Sequence, residues 1–235
     1  MSSENHPAQV PTGVGLEGLR AAAAGCRACE LWEPATQTVF GEGPETARVV
    51  FVGEQPGDQE DRRGEPFVGP AGRLLDRALG DAGIDRRDAY ITNAVKHFRF
   101  TPTPKRRIHQ SPGAEHLMAC RPWLEAEFAV LKPEVVVCLG ATAAKALISP
   151  SFRITQDRGQ LLPWTPPAAT DGPADDAADG PADDDPADDD EDVPHQTWML
   201  ATTHPSAVLR VPDENRAAAY DALVADLKVV AGALA

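Results

Sequence analysis

The sequence has no long hydrophobic run. None of its 235 residues lies in a stretch approaching the roughly 18 to 20 consecutive apolar residues that a membrane-spanning helix requires. The start, MSSENHPAQVP, also lacks the basic and apolar regions of a secretory signal peptide. We therefore expect a cytoplasmic protein that has no membrane partner.

Cysteine is scarce: the chain contains only Cys26, Cys29, Cys120 and Cys138. In a reducing compartment, a Cys-x2-Cys pair with two distant cysteines favours a metal site over disulfide bonds. The chain is long enough to bury a hydrophobic core without such cross-links. As a lone pattern the four cysteines fit zinc or iron, and Cys138, within the apolar run VVVCLG, also fits a buried core position.

Basic residues are outnumbered, but the acidic excess is local. The chain holds 22 Lys and Arg against 36 Asp and Glu, a formal net charge of −14. Residues 171–192 contain 12 of the acidic residues and no basic residue, so the remainder carries a net charge of only −2. Overall acidity therefore does not exclude a nucleic-acid partner. The segment repeats GPADD without large apolar residues, which predicts a disordered acidic insertion, either a DNA mimic or a passenger without a role.

Short apolar runs alternate with helical patterns along the rest of the chain. Four runs are typical of buried strands: 48–53, 89–95, 134–140 and 197–202. Helical spacing of apolar residues marks 16–26, 74–82, 117–131, 141–148 and 220–230, the last in a closing helix with Asp213 as its N-cap. This alternation predicts an α/β fold, a three-layer α/β/α sandwich around a central four-stranded, mainly parallel sheet. We expect a monomer with a flexible N-terminus (1–15) and one domain (16–235), which the acidic insertion interrupts at about 166–195.

Unusual polar chemistry follows each predicted strand. The four strands lead into Gly53-Glu54-Gln55-Pro56-Gly57-Asp58, Asn93, Gly140 and His204-Pro205-Ser206. Because ligands bind beyond the carboxyl ends of parallel strands, we expect one shared cleft. Taken singly, Asn93 or His204 is more simply a satisfied polar group at a strand end. The first loop suits close approach of backbone N–H groups to a ligand, but it is neither GxxxxGK[ST] nor GxGxxG, which argues against nucleotide binding of those types.

Together these segments resemble a known enzyme family. GEQPGDQEDRRGEPFVGPAGRLL, ITNAVK and HPSAVLR, with cysteines at Cys-x2-Cys and Cys-x17-Cys, resemble the family 4 uracil-DNA glycosylases that carry an iron-sulfur cluster. KRRIHQSPG, and Gln55 where ordinary members have Ala, are similar to the UdgX branch. The resemblance spans about residues 25–210. It implies a uracil-DNA glycosylase-like fold, uracil-containing DNA as partner and free uracil as product. It also implies a [4Fe-4S] cluster, with zinc less favoured, on Cys26, Cys29, Cys120 and Cys138.

The resemblance further implies how the base is read. Such an enzyme flips the nucleotide out of the helix into a pocket. Phe67 would stack on the flipped base, although a core position is the simpler interpretation of Phe67 alone. Asn93 would accept a hydrogen bond from uracil N3–H and donate one to O4. His204, as a neutral imidazole, would donate to uracil O2 as negative charge develops there.

Other residues take their expected roles from the same motifs. Glu54 and Asp58 would stabilise the sugar cation or orient water, with Glu60 and Asp61 as further candidates or simply members of a solvated acidic loop. The remaining expected contacts are Gln55, Gly53 and Gly57 with the substrate, and Ser206, Leu209 and Arg210 with the DNA.

Residues 101–113 form the most unusual segment. It contains three prolines and the run Lys105-Arg106-Arg107-Ile108-His109, too interrupted for a helix and too long for an idle connection. One interpretation is a basic loop in which Lys105, Arg106 and Arg107 bind phosphates. The UdgX resemblance implies in addition that His109 bonds to C1′ of the abasic sugar after uracil departs, while Glu54 accepts a hydrogen bond from its other ring nitrogen. The alternatives are a conventional family 4 enzyme that turns over, or a non-catalytic iron-sulfur or zinc protein that binds damaged DNA.

Overall fold

The computed structural model describes residues 5–166 and 196–235, so the predicted acidic segment 171–192 lies outside the described residues. The helices are Leu16–Ala23 (α1), Asp58–Arg63 (α2), Pro70–Ala82 (α3), Ala114–Leu131 (α4), Ala141–Leu147 (α5), Ile154–Asp157 (α6), Pro205–Arg210 (α7) and Asp213–Leu234 (α8). The strands are Val49–Gly53 (β1), Ala89–Asn93 (β2), Phe100–Pro102 (β3), Arg107–His109 (β4), Val135–Leu139 (β5), Leu162–Trp164 (β6) and Thr197–Thr202 (β7). In this part of the chain no helix is long and apolar enough to cross a membrane.

A five-stranded sheet with the order β2-β1-β5-β7-β6 forms the middle layer. The strands β2, β1, β5 and β7 run parallel, and β6 pairs antiparallel with β7 at one edge. Every residue of β1, β2 and β5 is buried, as expected for continuous apolar runs in a parallel sheet covered on both faces. The four predicted strands are therefore confirmed.

Helices cover both faces of this sheet. Successive strand residues point to opposite faces, so Val50 and Val52 pack with the buried residues of α1 and α4, whereas Val49 and Phe51 pack with those of α3 and α8. Two separate hydrophobic clusters result, one on each side of the sheet. The predicted three-layer α/β/α sandwich is confirmed.

The predicted strand count was wrong, because the sheet has five strands rather than four. The additional strand β6 has only three residues and contains Pro163, so it offers no apolar run that sequence reasoning could recognise. Proline is tolerated there because β6 is an edge strand. The predicted N-cap of the last helix was also wrong: Asp213 is its first residue and pairs with Arg216, and Pro212 occupies the capping position.

Helix α3 shows how local signals set the boundaries that lead into the cleft. Gly69 precedes the helix and Pro70 occupies its first turn, where a missing N–H costs nothing. Gly83 ends the helix in the left-handed conformation at φ 83°. The buried stripe of Leu74, Leu75, Ala78, Leu79 and Ala82 confirms the helical spacing predicted for this segment.

The residues before α1 contact the folded body. The backbone N–H of His6 donates to Ala28 O at 3.0 Å, and that of Ala8 donates to Ala119 O at the same distance. Ala8 is buried. This part of the segment predicted to be flexible therefore packs against the start of the cysteine-bearing loop and against α4.

Candidate active site

The carboxyl ends of β1 and β2 meet at Gly53, which forms a floor beneath the side chains of Asn93 and Phe67. A β-carbon at Gly53 would lie 2.3 Å from Asn93 Oδ1 and 2.7 Å from Phe67 Cζ. Only glycine fits between these two side chains without displacing them. The structure thus brings Gly53, Asn93 and Phe67 together as the sequence predicts.

Phe67 is held in an unusual backbone conformation above this floor. Its φ is 57°, in the left-handed region that an aromatic residue rarely adopts. A β-carbon at Gly72 would lie 1.5 Å from Phe67 O, so the first turn of α3 packs tightly against the Phe67 backbone. The Phe67 ring centroid lies 5.8 Å from that of His204. The ring is half-buried: it packs against the hydrophobic cluster on the α3 and α8 side of the sheet, and its edge lies over Gly53.

Asn93 presents a buried acceptor without a partner. The residue is 1% exposed, and Oδ1 has no hydrogen-bond partner among the described residues. A buried acceptor left unsatisfied costs free energy that a ligand donor can recover. The pocket therefore suits a ligand that carries an N–H group opposite Asn93.

His204 has a defined tautomer in the neutral state. Its Nδ1 accepts a hydrogen bond from the backbone N–H of Ser206 at 3.1 Å and lies 2.8 Å from Ser206 Oγ. A backbone N–H can only donate, so Nδ1 carries the lone pair and Nε2 carries the proton. Burial, assisted by the positive charge of Arg210, lowers the pKa of His204 to about 4. At neutral pH His204 is therefore an uncharged donor through Nε2, and Ser206 orients it.

A buried ion pair lies beneath Asn93. Lys96 and Glu127 are 1% and 0% exposed, and Lys96 Nζ lies 2.6 Å from Glu127 Oε2. The same ammonium group donates to Thr92 Oγ1 at 2.7 Å and to Asn93 O at 2.9 Å. Tyr90 Oη donates to Glu127 Oε1 at 2.9 Å. Every donor of Lys96 is satisfied, and one of them holds the backbone of Asn93.

Residues 100–109 form a β-hairpin against this cleft. In the antiparallel pair β3 and β4, Phe100 lies opposite His109. The guanidinium of Arg107 lies 4.8 Å from the Phe100 ring centroid and 5.3 Å from that of Phe98. The predicted irregular loop is therefore a short hairpin supported by an aromatic and cationic stack.

Arg107 turns inward, which corrects the expectation that it binds DNA phosphate. Its side chain is 15% exposed, and its guanidinium forms ion pairs with Asp58 and, at 2.6 Å, with Asp61. Asp58 also pairs with Arg62 at 3.0 Å, so its carboxylate anchors the hairpin and is not free to face a sugar. Burial raises the pKa of Asp58, but hydrogen bonds from Arg62 and Arg107 outweigh it and lower the value. Lys105 and Arg106 remain exposed at the hairpin turn.

Gln55 joins the hairpin to the first loop. Its Oε1 accepts from the backbone N–H of Arg99 at 3.1 Å, and its Nε2 donates to Gln110 O at 2.9 Å. These two backbone partners fix which end of the amide is which. The same Nε2 lies 2.9 Å from His109 Nε2. In the neutral ring, His109 Nε2 is therefore the acceptor and carries a lone pair.

Glu54 lies beside that same nitrogen. Its Oε1 is 3.6 Å from His109 Nε2 and is a buried oxygen without a hydrogen-bond partner in the described chain. The expectation that Glu54 bonds to the other ring nitrogen is thus wrong for this arrangement. Burial is the largest influence on the pKa of His109 and lowers it. The negative charge of Glu54 raises this pKa and the positive charge of Arg210 lowers it, so the net change is a decrease. The imidazole is therefore neutral at neutral pH.

The remaining predicted residues frame this site. Glu60 accepts from the backbone N–H of Gly69 at 2.7 Å, and a β-carbon at Gly57 would lie 2.6 Å from its Oε2. Glu60 therefore ties the first loop to the start of α3. Leu209 and Arg210 are exposed at the end of α7, next to the cleft, because the Arg210 charge acts on both His109 and His204.

Comparison with known proteins identifies the family. The family model described as "Uracil DNA glycosylase superfamily" matches residues 40–228. The chain belongs to the uracil DNA glycosylase superfamily. A type-4 uracil-DNA glycosylase of Thermotoga maritima is 42% identical over 140 residues, 59% of this chain and 69% of the relative. A type-4 uracil-DNA glycosylase of Sulfurisphaera tokodaii is 35% identical over 154 residues, 63% of this chain and 67% of the relative. One of Pyrobaculum aerophilum is 38% identical over 146 residues, 62% of this chain and 71% of the relative.

Two of the four cysteines of this superfamily member, Cys29 and Cys120, contact each other. Cys29 and Cys120 share a hydrogen bond, which lowers the pKa of the Cys29 thiol to about 7 although burial raises it. The indole N–H of Trp123 donates to Cys26 Sγ at 3.3 Å, and the Lys96 backbone N–H donates to Cys120 Sγ at 3.5 Å. Over residues 5–166 and 196–235, however, no three His, Cys, Asp or Glu side chains are grouped as a metal site requires.

Cys138 lies in the central strand β5, and its Sγ donates to Met199 Sδ in β7 at 3.7 Å. Burial raises the pKa of the Cys138 thiol. This placement favours the core interpretation that the sequence left open.

His97, to which sequence reasoning assigned no role, is buried next to Lys96. Its Nε2 donates to Thr38 Oγ1 at 2.9 Å, because the Thr38 hydroxyl donates to Ala23 O. Its Nδ1 has no partner among the described residues. The lone pair of Nδ1 is thus unused.

Proposed function

We propose that the protein is a uracil-DNA glycosylase of the UdgX type, which excises uracil from DNA and then bonds through His109 to C1′ of the abasic deoxyribose. The observation that carries the covalent step is the neutral imidazole of His109, held by Gln55 with its Nε2 lone pair beside Glu54. Membership of the superfamily and the similarity to type-4 enzymes support the excision step.

Uracil is recognised by the pocket around Gly53. A base flipped into it stacks on Phe67 and lies over Gly53, where a side chain would block it. The unpartnered Oδ1 of Asn93 accepts the N3–H of uracil, whereas cytosine presents an acceptor at that position. His204 donates from Nε2–H to O2 and stabilises the negative charge on the departing base. The observations that support these roles are the orphaned acceptor and the fixed tautomer.

The covalent step follows bond cleavage. The C1′–N1 bond breaks with its electron pair leaving on uracil, which generates an oxocarbenium-like sugar. The hydrogen bond from Gln55 Nε2 to His109 Nε2 then breaks, the freed lone pair forms a bond to C1′, and the ring becomes a positively charged imidazolium. Glu54 Oε1, a buried oxygen that has no hydrogen-bond partner among the described residues and lies 3.6 Å from His109 Nε2, stabilises both cations. Each protein molecule therefore acts once.

The DNA partner contacts the exposed rim of the cleft. Lys105 and Arg106 at the hairpin turn bind backbone phosphates, and Leu209 enters the duplex next to Arg210. The exposure of these four side chains supports this assignment.

We also propose a [4Fe-4S] cluster held by Cys26, Cys29 and Cys120, with His97 rather than Cys138 as the fourth ligand. Two N–H groups already donate to the sulfurs of Cys26 and Cys120, as is usual around cluster thiolates. His97 follows Lys96, whose backbone N–H donates to Cys120 Sγ, and its Nδ1 has a lone pair without a partner among the described residues. Cys138 instead lies within β5, where its Sγ contacts Met199 Sδ. When bound, the cluster cross-links the N-terminal segment to α4.

Iron content separates the two candidate fourth ligands. We expect the Cys138→Ala variant to retain the iron and visible absorbance of the wild type, and His97→Ala to lose much of both. The His97→Cys variant should retain iron because a thiolate replaces the imidazole at the same position. Loss of iron in Cys138→Ala, with full iron in His97→Ala, would return Cys138 to the ligand set. Zinc in place of iron would contradict the cluster itself.

A denaturing gel tests the proposed function. Purified protein is mixed with a uracil-containing oligonucleotide, and a matched oligonucleotide with thymine at that position serves as the control. We expect a slow band that survives SDS with the uracil strand only. Free, alkali-labile DNA without the slow band would indicate a conventional enzyme that turns over. Intact DNA in both lanes would contradict glycosylase activity.

A further inference from the structure

The hydroxyl group of Thr142 contacts the carboxylate beside the proposed nucleophile. Thr142 lies in the first turn of α5, 88 residues from Glu54 along the chain, and its Oγ1 donates a hydrogen bond to Glu54 Oε2. The other oxygen, Oε1, is buried, has no hydrogen-bond partner in the part of the chain that the structure describes, and lies 3.6 Å from His109 Nε2. One oxygen of the carboxylate is thus restrained, and the other faces the imidazole.

The element that carries Thr142 is rigidly placed at the cleft. Gly140, with φ 95°, turns the chain from β5 into α5, and its backbone N–H donates to Thr202 O at 2.8 Å. A β-carbon at Gly140 would lie 3.0 Å from His204 Cβ, so the helix begins directly against the base-contacting histidine. Ala143 and Ala144 are fully buried against the core. The Thr142 hydroxyl is therefore a fixed donor on regular secondary structure and not part of a loop.

We propose that Thr142 is a positioning residue for the covalent step. Its hydroxyl holds Glu54 Oε2 and so directs Oε1 toward His109 and the sugar cation. Without this hydrogen bond the Glu54 carboxylate could rotate about its last side-chain torsion. Its negative charge would then be less well placed when C1′ becomes cationic. This inference rests on the proposed function, because it assigns a residue to the capture of C1′ by His109.

The variant Thr142→Val tests this with little change in volume. In single-turnover reactions we expect SDS-resistant complex to form about 10- to 100-fold more slowly, the range expected for loss of one hydrogen bond to a charged group. A larger share of the sugar should then escape as free, alkali-labile abasic DNA, because water competes better with a slow capture. Thr142→Ser keeps the donor and should restore the wild-type rate. The thermal midpoint of each variant reports whether the fold is intact.

A double-variant cycle shows whether Thr142 acts through Glu54. In a Glu54→Gln background, Thr142→Val should cause little further loss, since the carboxylate that it positions is gone. Wild-type complex formation by Thr142→Val, or an undiminished effect in the Glu54→Gln background, would overturn the inference and leave the proposed function intact. If the wild type forms no SDS-resistant complex, both the inference and the covalent step are refuted.

Discussion

The His109→Ala variant is expected to lose the SDS-resistant complex completely while still releasing uracil. The proposed base contacts, Phe67, Asn93 and His204, come from other elements and do not depend on the imidazole. Removing the ring leaves space beside Glu54 in which water can reach the sugar cation. The product should change from a protein–DNA adduct to free abasic DNA, measured on denaturing gels with and without alkali.

A neighbouring variant provides the matched control. Lys105→Ala removes an exposed charge from the same hairpin and should lower DNA affinity, with a smaller dependence on salt, yet still form the adduct at saturating DNA. Adduct formation by His109→Ala would show that another residue is the nucleophile. Loss of uracil release as well as of the adduct would instead show that the imidazole takes part in bond cleavage.

Hydrophobic pattern predicted most of the fold because the main strands are strongly apolar. VVFVG and VVVCL, each buried at every position, are unambiguous as strands of a covered parallel sheet. The edge strand β6 was missed because three residues with a central proline carry almost no such signal. The hairpin of β3 and β4 was missed for a related reason: its stability comes from Arg107, Phe98 and two distant aspartates, not from strand periodicity.

Sequence reasoning found side chains with evident chemistry and missed those that position them. Gly53, Asn93 and His204 stand at predicted strand ends, so the topology alone brought them together. The contact between Thr142 and Glu54 joins residues 88 positions apart, and Thr142 has no local signal within an alanine-rich helix. His97 differs from an ordinary buried histidine only in an unpartnered nitrogen, which three-dimensional structure alone can reveal.

The Lys96→Met variant is expected to have the largest effect on stability. It leaves Glu127, which is 0% exposed, as an unpaired charge in the core beneath Asn93. Breaking a buried pair by removing one partner costs about 3 to 5 kcal/mol. For a domain of this size that corresponds to a fall of roughly 6 to 20 °C in the thermal midpoint, measured at one fixed scan rate.

Two further variants separate the cost of an uncompensated charge from the cost of the lost hydrogen bonds. Adding Glu127→Gln to Lys96→Met removes the uncompensated charge but keeps an acceptor for Tyr90 and the backbone N–H of Gly41, so most of the loss should be recovered. The surface pair of Arg48 and Glu134 is the matched control: these side chains are 56% and 38% exposed, and Arg48→Met should cost less than about 1 kcal/mol. Equal midpoints for Lys96→Met and the double variant would mean that the uncompensated charge of Glu127 does not cause the loss, and that the ammonium hydrogen bonds to Thr92 Oγ1 and Asn93 O stabilise this part of the core.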